Sequence, residues 1–107
     1  LLIDDQREFG TNGIPLPKED DEWEHALTYD AGEFALKFHE PWDVLYLDHD
    51  FGDSDPKKIG YGIMNYLESL DPVLRLILLP KKIVLVTSNP VGRKQMQMVM
   101  EKLYPKT

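Results

Sequence analysis

The sequence predicts one α/β domain built on a doubly wound parallel sheet of about four to five strands, covered on both faces. Three observations predict it. Short, nearly continuous apolar runs recur along the 107 residues, as strands buried on both faces require. Amphipathic helical patterns alternate with those runs. The three clearest runs end in polar clusters, Asp4-Asp5, Asp48-His49-Asp50 and Thr87-Ser88-Asn89. Ligands of open parallel sheets bind outside the carboxyl ends of the strands, so three separate segments send polar groups to one rim.

Leu1-Leu2-Ile3 is the first strand, and it delivers Asp4 and Asp5. Residues 6–22 contain Gly10, Gly13, Pro15 and Pro17, which predict an extended loop where a helix would otherwise follow. Trp23 to Tyr29 is a second strand, opened near His25. Asp30 then caps a helix, with Glu33 at the capping-box spacing and Ala31, Phe34, Ala35 and Phe38 on its inward face. Pro41 stops it. Asp43 to Leu47 is the clearest strand, followed by a polar loop from Phe51 to Ile59. Gly60 to Leu70 is a helix with the stripe Ile63, Leu67, Leu70, and Pro72 and Pro80 bracket a connection with room for a helical turn. Lys82 to Val86 is a further strand. Asn89 or Ser88 caps the last helix, Pro90 suits its first position, and Met96, Val99, Met100 and Leu103 face inward.

Composition narrows the function classes. The length suits a single domain, 1–107. With no cysteine, disulfides and thiolate metal sites are excluded. No apolar run approaches the roughly 20 residues that span a bilayer. No signal peptide is visible, so a cytoplasmic location is expected. A net charge of −7 argues against a protein that tracks nucleic-acid backbone, which needs clustered Lys and Arg. It leaves room for a small phosphate ligand held by a metal ion and a few donors. The acidic stretch 18–24 reads as a solvated loop.

The rim carries the chemistry. Carboxylates brought together repel one another unless they share a cation. Oxygen ligands from Asp4, Asp5 and Asp48 suit a hard divalent ion such as Mg²⁺. His49, beside Asp48, titrates near neutral pH and can give or take a proton. His25 and His39 have weaker claims to catalysis, because one opens a strand and the other sits where a helix ends. Asn89-Pro90-Val91-Gly92-Arg93 joins a helix N-terminus, a small residue and a positive side chain, which reads either as a phosphate cradle or as an ordinary capped helix with a surface Arg. Thr87 and Ser88 add hydroxyl donors.

Paired acids after the first strand, an Asp after the third and a Thr or Ser after the fourth resemble the receiver domains of two-component signalling. That resemblance implies a receiver-like, flavodoxin-like fold whose first helix is replaced by a loop, and it casts Asp48 as a phosphoryl acceptor. The lysine that those domains carry after a fifth strand has no counterpart here. A closer resemblance rests on Asp4-Asp5-Gln6-Arg7, Leu47-Asp48-His49-Asp50-Phe51-Gly52, Gly60-Tyr61-Gly62 and Ser88-Asn89-Pro90-Val91-Gly92-Arg93. These are similar to the cyclic-phosphate-processing receiver domains of phages and bacteria, along nearly the whole chain. A second histidine before the Ser-x-Asn-Pro stretch and an arginine before the Thr of the second strand, usual in that family, are absent here, where Val86-Thr87 and Leu27-Thr28 stand.

The resemblance implies a metal-dependent phosphoesterase acting on a cyclic phosphate of a nucleotide or nucleic-acid end. Mg²⁺ or Mn²⁺ would sit on Asp4, Asp5, Asp48 and Asp50, and His49 and Asp48 would be catalytic. Arg7, Thr87, Ser88, Asn89, Gly92 and Arg93 would hold the phosphate. The expected setting is a bacterial or phage-infected host cell. The alternatives are a receiver-like module that binds a protein partner, such as a host factor engaged by a phage protein, and a phosphoacceptor receiver.

Overall fold

The structure, a computed structural model, describes residues 1–11 and 13–105. Four short strands, β1 (Leu2–Ile3), β2 (His25–Ala26), β3 (Val44–Leu47) and β4 (Lys82–Leu85), form one parallel sheet in the order β2-β1-β3-β4. This is the flavodoxin-like order through its fourth strand. Four helices complete it: α1 (Tyr29–Lys37), α2 (Gly60–Ser69), α3 (Pro72–Leu78) and α4 (Pro90–Leu103). Between β1 and β2 no helix occurs among the described residues, as the glycines and prolines of that segment predict.

The register separates the two faces of the sheet. Ile3 pairs with Ala26 and Leu47, and Leu47 with Leu85, so these residues share a face, joined by Leu45 and Ile83. They merge into one core with Ala35 and Leu36 of α1, Ile63, Met64 and Leu67 of α2, and Met96, Val99 and Leu103 of α4. On the other face Leu2 pairs with His25 and Tyr46, and Tyr46 with Val84. There the 6–22 segment does the covering: the ring of Phe9 meets His25 and Tyr46 edge-on, at 6.2 and 6.5 Å between centroids.

Several local expectations shift. The second strand is only His25–Ala26, because Thr28 leaves it to cap α1, its hydroxyl accepting from Ala31 N–H at 3.1 Å. Asp30 therefore lies inside the helix and pairs with Lys58 at 2.9 Å. Its buried face is Gly32, Ala35 and Leu36, with Gly32 so close to Ile3 that a Cβ there would overlap the Ile3 side chain. Phe34 and Phe38 are exposed and lie against each other, 4.7 Å apart. The Pro72–Pro80 connection holds a full helix, α3, capped by Asp71, with no buried residue. The inward faces of α2 and α4 are as the sequence predicts, save that Met100 is only partly buried.

Candidate metal centre at the strand ends

The hydrogen-bond ladder carries the strands straight into the rim. Asp4 N–H donates to Ala26 O at 3.1 Å, and Asp48 N–H to Ile3 O at 3.0 Å. Adjacent strands thus fix the two acids side by side. Asp4 is 0% exposed and Asp48 6%. Carboxylate oxygens of Asp4, Asp5 and Asp48 all lie within 4.8 Å of one another.

Buried like charges this close need compensation. One oxygen of Asp4 accepts the backbone N–H groups of Gln6 and Arg7, both at 2.9 Å, which turns the chain sharply after β1. That turn swings Arg7 back over the cluster. Its Nη1 lies 3.2 Å from Asp4 Oδ2 and 3.3 Å from Asp48 Oδ1. Burial raises the pKa of Asp48 above the ordinary carboxylate value, and Asp4 adds to the rise, while the backbone N–H of His49, the Arg7 guanidinium and the Thr87 hydroxyl pull it down. A set of hard oxygen donors whose one ion-pair partner among the described residues is the Arg7 guanidinium fits a divalent ion of the Mg²⁺ or Mn²⁺ type.

A cavity of about 600 Å³ opens above this cluster. Asp5, Arg7, Asp48, Asp50, Thr87 and Ser88 line it, together with Gln6 and Gly52. Most of the residues expected in the site thus meet at one place.

The remaining expected residues form a second, sealed group. His49 is 8% exposed, and α4 closes over it. The backbone at Gly92 lies so close to the imidazole that a Cβ there would overlap ring atoms Cγ, Cδ2 and Nε2. His49 Nδ1 is 3.0 Å from Asp50 Oδ1 and 3.4 Å from Asn89 Nδ2, while Nε2 is buried with no hydrogen-bond partner among the described residues. The donors at the start of α4 are engaged within the fold. Gly92 N–H donates to Asn89 Oδ1 at 3.0 Å, and Arg93 N–H to Asn89 O at 2.9 Å. The Arg93 guanidinium donates to Thr87 O at 2.7 Å. Asn89, Gly92 and Arg93 therefore stand behind Thr87 and His49, outside the cavity lining.

The family model for the cyclic-phosphate processing receiver domain matches residues 1–102. The chain belongs to the cyclic-phosphate processing receiver domain family. No curated protein and no solved structure matches it. No helix among the described residues is long and apolar enough to cross a membrane.

Within this family member, residue-level reading missed Gly60. A Cβ there would overlap the carbonyl oxygen of Asp48, and Gly60 N–H donates to His49 O at 2.7 Å, so α2 begins pressed against the Asp48-His49 backbone. The signal was present as the glycine that opens Gly60-Tyr61-Gly62 directly at a helix start. His25 and His39 lie away from the cavity lining. His25 Nε2 contacts Asp4 O at 2.8 Å, and His39 stacks on Trp42 at 3.7 Å.

Proposed function

We propose that this protein is a metal-dependent phosphoesterase that opens a cyclic phosphate on a nucleotide or a nucleic-acid end. The observation that carries this reading is the convergence of Asp4, Asp5 and Asp48 within 4.8 Å at the ends of two adjacent strands, in a chain of this family. Asp4, Asp5 and Asp48, with Asp50 beside them, would hold Mg²⁺ or Mn²⁺, which would supply charge stabilisation at the phosphoryl oxygens and a water of lowered pKa.

The chain's own groups divide the rest of the work. Arg7, Thr87 and Ser88 line the cavity and offer hydrogen-bond donors to phosphate oxygens. Water adds to phosphorus, one ester P–O bond of the ring breaks, and the departing alkoxide takes up a proton. We assign that proton traffic to Asp50 backed by His49, because Asp50 lines the cavity and its Oδ1 lies 3.0 Å from His49 Nδ1. Asn89, Gly92 and Arg93 hold Thr87 and the imidazole in place.

The test is hydrolysis of a 2′,3′-cyclic nucleotide and of a cyclic-phosphate-ended oligonucleotide with Mg²⁺, Mn²⁺ or EDTA. Turnover that needs metal and disappears in Asp48→Asn supports the reading. His49→Ala lowers turnover by about 100-fold, the low end of general acid–base contributions. Unchanged turnover in that variant removes His49 from the proton path.

A second reading, a partner-binding module without turnover, draws on the Arg7 ion pairs, which offset part of the charge of the acid cluster without a metal. It requires that metal have no effect on the folded protein and that no cyclic phosphate be consumed.

A further inference from the structure

An aromatic-lined surface lies at the opposite end of the sheet from the acid cluster. A pocket of about 490 Å³ opens there, beside Val44 and Lys81, where β3 and β4 begin. That volume falls within the roughly 300–1,000 Å³ typical of ligand pockets. Its aromatic wall comprises Phe9, Trp23, Trp42 and Tyr46. Phe9 and Trp23 meet edge-to-face at 5.6 Å, so the loop after β1 brings one ring of this wall onto another. Trp23 nevertheless stays 57% exposed.

The charged part of the lining is mostly acidic, with four acids against Lys81 and His39. Asp21, Glu22, Glu40 and Asp43 contribute carboxylates. Lys81 reaches Asp43 at 3.1 Å, and His39 reaches Glu22 at 2.7 Å. Among the described residues, Asp21 and Glu40 have no ion-pair partner. Aromatic faces beside uncompensated carboxylates select for a cation with a flat or methylene-rich body, since the ring quadrupole and the carboxylates attract the same charge. The chain already shows the arrangement once: the His39 imidazole lies stacked on Trp42 with its Nε2 on Glu22.

We propose that this pocket is a docking site for a basic peptide segment of a partner protein, with an arginine or lysine side chain inserted between Trp23 and the carboxylates of Asp21 and Glu40. The inference stands apart from the phosphoesterase reading, because no residue of this pocket lines the metal-site cavity.

Both tryptophans of the chain line this pocket, so intrinsic tryptophan fluorescence reports on it alone. The experiment titrates the full chain with a library of arginine- and lysine-containing hexapeptides and with their citrulline and acetyl-lysine counterparts. The expected result is a saturable emission shift with at least one basic peptide, weakened by about tenfold or more in the neutral counterpart and in Asp21→Asn/Glu40→Gln. Asp48→Asn binds like the native chain. No saturable shift from any basic peptide, equal binding of the neutral counterparts, or undiminished binding by the double variant overturns the proposal. Equal affinity for tetramethylammonium alone also overturns it, because the pocket would then be a small-cation site.

Discussion

Two halves of the same rim, both rich in polar residues in the sequence, end up in opposite physical states. Asp5, Asp48, Arg7 and Thr87 line an open cavity with Asp4 buried against them, whereas His49, Asn89, Gly92 and Arg93 pack together at the start of α4. The difference lies in what satisfies each group. Gly92 N–H, Arg93 N–H and the Arg93 guanidinium find acceptors within the chain, so packing can close over this half, and His49 Nε2 is left as its one buried side-chain polar atom without a partner among the described residues. In the first half the buried carboxylates of Asp4 and Asp48 share one guanidinium, and three acids beside that single positive charge remain partly uncompensated. Packing closes one half, and unbalanced charge marks the other.

The largest expected effect breaks the sealed half. Gly60→Ala and Gly92→Ala each place a methyl where Asp48 O or the His49 ring already sits, and neither neighbour is a flexible side-chain end. Overpacking of this kind costs about 1–3 kcal/mol, to be read as a lowered urea midpoint. A loss below about 0.5 kcal/mol would show that the helix start yields, and that the seal is loose.

A smaller effect sharpens the open half. Arg7 Nη1 occupies the space between Asp4 and Asp48 that a shared cation would use. Replacing it as Arg7→Gln removes a competitor, and Mn²⁺ affinity measured calorimetrically rises by about tenfold. Weaker Mn²⁺ binding would instead make Arg7 a support for the site and not a placeholder.

The smallest effect lies outside the rim. Burial lowers the pKa of His39, but the Glu22 carboxylate and the Glu40 carbonyl outweigh it and leave the value raised. A raised folded pKa stabilises the protein fully below the unfolded value near 6.5, and the stabilisation is lost as pH rises through the folded value. Because Glu22 is largely exposed, the effect is about 1 kcal/mol or less. Urea unfolding at pH 6 and pH 9 reads it, and His39→Gln should abolish that part of the difference.

The strand ends were legible because each acid follows an apolar run that can only be a buried strand. Asp4-Asp5 and Asp48 were placed by the alternation of elements alone. The loop that replaces a helix after β1 was legible from Gly10, Gly13, Pro15 and Pro17. The α1 face was not, because the residue that lies against Ile3 of the sheet is Gly32, which carries no apolar signal, and this leaves Phe34 and Phe38 to solvent. The burial of His49 was not legible either, since it depends on Gly92, a small residue far along the chain, arriving against the ring. The aromatic pocket escaped for the same reason: Phe9, Trp23 and Trp42 come from separate segments with no shared periodicity.

The most direct test is a calorimetric titration of the native chain and of Asp48→Asn with Mn²⁺. The account predicts one saturable site in the native protein and its loss in the variant, with both proteins folded. Absence of binding to the native protein at millimolar Mn²⁺, or undiminished binding by Asp48→Asn, would contradict it.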